Sequence, residues 1–100
     1  MPAWILSPLA AVDLEEILNY IAADSGSEGV VERVEGDFAK ALDTLALSPG
    51  MGWQRIPLTG SAVRWWRVHS YLLVYEADSR PLRVIRIVHG ARDLDSIFNR

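Results

Sequence analysis

The chain has 100 residues, half of them apolar and 23% charged, with a formal net charge of -3. That length suits one soluble domain and leaves no room for a second folding unit, and no apolar run approaches the roughly 18 residues of a membrane span. The absence of cysteine excludes disulfides, thiolate zinc sites and cysteine nucleophiles, and two histidines, His69 and His89, are too few for a multi-histidine centre, so no metal or cofactor is expected.

Met1-Pro2-Ala3-Trp4 sets no basic leader before an apolar segment, which predicts no secretory signal and, with the lack of cysteine, a cytoplasmic protein. Trp4-Ile5-Leu6 reads as a short strand. Ser7-Pro8 then supplies a helix cap and first turn. Leu14, Ile17, Leu18 and Ile21 follow the spacing of one helix face, and the pattern stops near Asp24-Ser25-Gly26. A second helix runs from about Ser27, with Val31, Val34, Phe38, Ala41, Leu42 and Leu45 as its apolar stripe and Glu28, Glu32, Glu35, Asp37 and Lys40 beside the wet face. The two should form an antiparallel hairpin with one shared apolar side.

Ser48-Pro49-Gly50-Met51-Gly52 breaks the second helix. Val63 to Val68, Tyr71 to Ala77 and Leu82 to His89 then read as strands whose short links, His69-Ser70 and Asp78 to Pro81, make them consecutive antiparallel neighbours. Asp93 opens a last short turn or helix through Leu94, Ile97 and Phe98. The order β-α-α-β-β-β predicts one α+β domain over residues 1–100, a helical hairpin packed on one face of an antiparallel sheet with the other face left open.

Charge is divided unevenly along this order. Residues 1–50 carry two bases against nine acids, a net of -7, and residues 51–100 carry eight arginines against four acids, a net of +4. Arginine keeps its charge when buried and grips carboxylates two-pronged, so the second half is suited to an anionic partner. Alternation places Arg64 and Trp66 on one face of their strand and Trp65 and Arg67 on the other, with one tryptophan in the core. Exposed tryptophan beside arginine is the composition of interface anchors, and equally of simple cation-π packing.

Leu6-Ser7-Pro8 with Asp13-Leu14, the loop Ser48-Pro49-Gly50-Met51-Gly52, the strand Tyr71-Leu72-Leu73-Val74-Tyr75 and the run His89-Gly90-Ala91-Arg92-Asp93 resemble, in that order, the ParE branch of the RelE/ParE toxin superfamily over almost the whole chain. The resemblance implies a plasmid- or chromosome-borne toxin of a type II toxin-antitoxin system that arrests growth and is neutralised by a ParD-like antitoxin. Characterised members of this branch poison DNA gyrase, whereas the sister branch cuts mRNA on the ribosome.

RNA cutting requires several cations and a proton donor converging on one phosphate. In RelE-like cutters an arginine follows the tyrosine that opens the central strand and a tyrosine lies in the C-terminal segment; here those places hold Leu72 and Phe98. Arg64, His89 and Arg92 remain as a reduced acid-base and phosphate-clamp set, so enzyme activity stays open but disfavoured. A hydrogen-bonded, partly buried His89, on the face of Ile85 and Ile87, and an Arg92 paired with a carboxylate are the structural alternatives. The antitoxin, whose C-terminal segment would fold as it wraps the toxin, is expected on Arg64, Trp65, Trp66, Arg67, Arg83 and Arg86. The resemblance alone places gyrase binding on His89, Arg92, Phe98 and Arg100, with no direct nucleic-acid or membrane contact. A toxin-like fold retained only as an antitoxin-binding co-repressor is the third reading.

Overall fold

The computed structural model describes residues 2–53 and 63–90. In chain order it contains β1 (Trp4–Leu6), α1 (Pro8–Ser25), α2 (Glu28–Leu47), a 3-10 turn over Pro49–Met51, β2 (Val63–Val68), β3 (Tyr71–Glu76) and β4 (Leu82–His89). No helix among the described residues is long and apolar enough to cross a membrane. The C-terminal turn expected from Asp93 to Phe98 lies outside the described residues.

Local chemistry sets the helix ends. The Ser7 hydroxyl accepts the Ala10 N–H at 3.1 Å, and Pro8, which has no N–H to leave unsatisfied, opens α1. Gly26 ends it in the left-handed region at φ 65°, a conformation that costs glycine least. Ser27 then caps α2 by accepting from Val30 at 3.4 Å. The stripe of α2 buries Val34, Phe38, Leu42 and Leu45, while α1 contributes Ala10 and Ile17, with Leu14, Leu18 and Ile21 partly covered.

The strand order is β1-β4-β3-β2. β2, β3 and β4 are antiparallel neighbours as their short links require, but β1 joins the far side of β4 in parallel, Trp4 opposite Leu82 and Leu6 opposite Val84. The sheet is therefore mixed rather than antiparallel: the helical hairpin is long enough to act as the crossover that parallel pairing needs. Val68, Leu73, Tyr75, Leu82, Val84 and Ile87 meet the helices and form the main core.

The opposite face is not open at its centre. Leu72, Val74 and Val88 are buried there in a second, smaller cluster with Val63, Trp65 and Ile85. A continuous apolar strand such as Tyr71 to Tyr75 is suited to a sheet covered on both sides. A β-bulge divides the next strand between the two clusters. Val74 pairs with Arg86 but Tyr75 pairs with Val84, so Ile85 is the extra residue. Ile85 joins the outer cluster and Ile87 the inner one, against the strict alternation that would put both on one face with His89.

β1 covers β4 only as far as Val84, and beyond that point the edge of β4 is met by the start of α1. Ser7 Oγ donates to the Ile85 carbonyl at 2.9 Å. One Asp13 carboxylate oxygen accepts the Ile87 N–H at 2.9 Å and Arg86 Nε at 2.8 Å, and the other accepts Arg86 Nη2 at 3.1 Å. The fork fastens helix to strand across 73 positions of sequence. Arg86→Ala should lower unfolding stability by about 1–3 kcal/mol in urea titrations, because Asp13 loses two charge-assisted bonds; an unchanged midpoint would show that Arg86 has no structural role.

Candidate functional site

The break after α2 is held by a buried phenol. Tyr75, fully buried in the centre of β3, donates its hydroxyl hydrogen to the Pro49 carbonyl at 2.6 Å and accepts the Gly52 N–H at 3.0 Å. Arg64, beside Tyr75 on β2, donates from Nη1 to the Gly52 carbonyl at 2.9 Å. Gly52 admits this approach because it has no side chain: a Cβ there would overlap the Tyr75 hydroxyl and lie 2.8 Å from the Trp65 carbonyl. Burial raises the Tyr75 pKa above 10, opposed by the Gly52 hydrogen bond and by the Arg64 charge.

From this clamp the chain leaves as one rung of sheet. Trp53 exchanges both backbone hydrogen bonds with Trp65, at 2.8 and 2.9 Å, and its ring stacks on Trp66 with centroids 6.1 Å apart. Trp53 remains 55% exposed, and Trp66 is half-buried with its inner side on the main core. The outer side of Trp66 looks into a groove of about 290 Å³ between α2 and β2. Asp37, Lys40, Ala41 and Thr44 form the helical wall; Trp66, Arg67 and Val68 form the strand wall. Next to Asp37, His69, held at φ 55° in the tight β2–β3 turn, places Nε2 2.7 Å from Asp37 Oδ2, and Arg67 Nε donates to the His69 carbonyl at 3.0 Å.

The cations expected to contact a partner are dispersed by this arrangement. Arg64 is engaged by the loop and Arg86 by Asp13. Arg83 is half-exposed at the outer face, 3.6 Å from Glu76, and Trp65 belongs to the outer cluster. Only Trp66 and Arg67 lie together at a groove. His89 packs the edge of its ring on Tyr71, which itself meets Phe38, placing the histidine on the helix-covered face. Arg92, Phe98 and Arg100 lie outside the described residues.

The reduced RNA-cutting set is not assembled by its described members. Arg64 pairs with Tyr75 and His89 with Tyr71, four residues apart on β3, or about 13 Å at the rise of an extended strand. Leu72, at the place where cutters carry arginine, is buried among apolar side chains. The residues that build the surface, Tyr75, Gly52, Lys40 and Thr44, had no individual signal in the sequence. Only the unusual Pro-Gly-Met-Gly run marked the region.

The sequence profile of the ParE toxin of the type II toxin-antitoxin system, parDE, matches residues 4–94. The chain belongs to the ParE toxin family. A search of curated proteins gives no match. Among solved structures, a chain from the chromosomal ParDE toxin-antitoxin system of P. aeruginosa is similar, with a TM-score of 0.69 and 17% identity, over 86% of this chain and 92% of that one. At that identity the likeness shows the fold alone.

Because the Tyr75 pKa is raised in the fold and returns toward its ordinary value on unfolding, the stability it contributes is complete below about pH 10 and is lost as pH rises through the higher folded value. The wild-type urea midpoint should therefore fall in that alkaline range. Tyr75→Phe should be less stable by about 1–3 kcal/mol at neutral pH, since Pro49 and Gly52 lose a buried partner, and its midpoint should fall less on alkalinisation. Equal alkaline falls in both proteins would contradict the assignment.

Proposed function

We propose that this ParE-family chain acts by binding rather than by catalysis: released from a ParD-like antitoxin in the cytoplasm, it holds DNA gyrase in its cleaved-DNA state. The observation that carries this reading is the dispersal of the candidate cutting groups. Arg64 supports the Gly52 loop, His89 packs on Tyr71, and the strand between them offers buried apolar side chains, which speaks for a surface without a converged phosphate site. Transition-state stabilisation requires donors about 3 Å from the reacting group, and a separation near 13 Å along β3, with Arg64 already engaged by the Gly52 carbonyl, supports binding over catalysis.

Family membership and the fold shared with a ParDE system support an antitoxin partner. The excess of arginine in residues 51–100 supports one that is acidic where it touches the toxin. The contribution of His89, Arg92, Phe98 and Arg100 to gyrase binding rests on resemblance to the family.

Purified protein should inhibit supercoiling by gyrase and trap cleaved DNA, and should leave mRNA intact on translating ribosomes. Ribosome-dependent cuts lost in His89→Ala would establish the endoribonuclease reading instead. Absence of both activities, with no growth arrest on overexpression, would establish the co-repressor reading.

A further inference from the structure

The outer face of the sheet is sealed more tightly than strand side chains alone achieve. Leu72, Val74 and Val88 are 8, 2 and 3% exposed, as buried as the main core, yet every member of their cluster, with Val63, Trp65 and Ile85, lies on β2, β3 or β4. Both helices pack on the other face. Neighbouring strands flank a side chain without roofing it, and an apolar sheet face becomes dry when a second layer sits about 10 Å above it. No described residue outside the strands belongs to the outer cluster.

The end of β4 points to the source of that layer. Gly90, the last described residue, donates its N–H to the Ser70 carbonyl at 2.8 Å, and a Cβ on it would stand 3.4 Å from Leu72 Cγ, so the chain leaves the sheet beside the outer cluster. Residues 91–100 follow, with Leu94, Ile97 and Phe98 at the i, i+3, i+4 spacing of one helix face. Ten residues reach about 15 Å as a helix, and three neighbouring strands span about 10 Å between their outer axes, so the segment is long enough to cross the cluster. Charge agrees with this placement. Arg67, opposite Leu72, and Arg83, opposite Glu76, are exposed at the two ends of the face, and the segment brings Asp93 and Asp95.

We infer that the outer sheet face is the docking surface for this chain's own C-terminal segment, with Leu94, Ile97 and Phe98 seated on Leu72, Val74 and Val88 and the Asp93 end beside Arg67. Neither a partner protein nor a second copy is needed to account for the burial, because the single chain already has it. The inference concerns the chain alone and stands whether its target is gyrase, the ribosome or neither. Phe98 then contributes to a target by anchoring the segment that carries Arg92 and Arg100.

Nuclear Overhauser spectra of the full, isotope-labelled chain test this without a substitution. Contacts of the Phe98 ring and the Leu94 and Ile97 methyls with the methyls of Leu72, Val74 and Val88 are expected. Contacts of those outer methyls with residues 54–62 instead, contacts seen only between labelled and unlabelled copies in a mixed sample, or no contact beyond the strands, each overturn the inference. In the full chain, Ile97→Asp combined with Phe98→Asp should raise severalfold the fluorescence of a dye that binds exposed apolar surface and should lower the urea midpoint; wild-type values in both overturn it. The gentler pair Phe98→Ala and Val88→Ala serves where the double charge prevents folding: the loss of midpoint in the pair should be smaller than the sum of the single losses, and strict additivity contradicts a contact between them.

Discussion

One phenolic hydroxyl organises the surface of this protein. Tyr75 lies at the centre of the sheet, where an uncompensated polar atom would cost about 1–3 kcal/mol, and both sides of its hydroxyl are used by the loop that follows α2. The loop is therefore fixed to the core rather than merely tethered to a helix end. Trp53 leaves it in strand pairing with Trp65, its ring against Trp66, and the space between Trp66 and α2 is the groove.

The same demand for satisfied polar groups decides where the arginines go. Arg64 completes the Gly52 carbonyl, and Arg86 meets Asp13, whose carboxylate also takes the Ile87 N–H at the edge that β1 is too short to cover. These cations hold the scaffold that places Trp66 and Arg67. Charge counted over half a chain therefore does not equal the charge free for a partner: among the described arginines of residues 51–100, Arg67, Arg80 and Arg83 are exposed while Arg64 and Arg86 are engaged within the fold.

Much of the fold was legible because its signals are local. Ser7-Pro8 and Ser27 mark helix starts, Gly26 a helix stop, and the strands at 63–68, 71–76 and 82–89 are bounded by short polar links. What the sequence concealed is non-local. Parallel pairing of β1 with β4 joins segments nearly 80 positions apart, and the bulge at Ile85 breaks the alternation on which a shared face for Ile85, Ile87 and His89 depended. The outer face, expected to be open, carries its own buried cluster at Leu72, Val74 and Val88. Tyr75 read as one more apolar position in a buried strand, since nothing in its neighbours reveals that Pro49 and Gly52 lie within reach of its hydroxyl.

The most direct measurement of the central claim is a crystal structure of Tyr75→Phe beside that of the wild type. The wild type should show the Tyr75 hydroxyl bridging Pro49 and Gly52 with Trp53 paired to Trp65 and stacked on Trp66, and in Tyr75→Phe the loop should shift and Trp53 leave that stack. An unchanged loop with Trp53 still on Trp66 in the variant would contradict it.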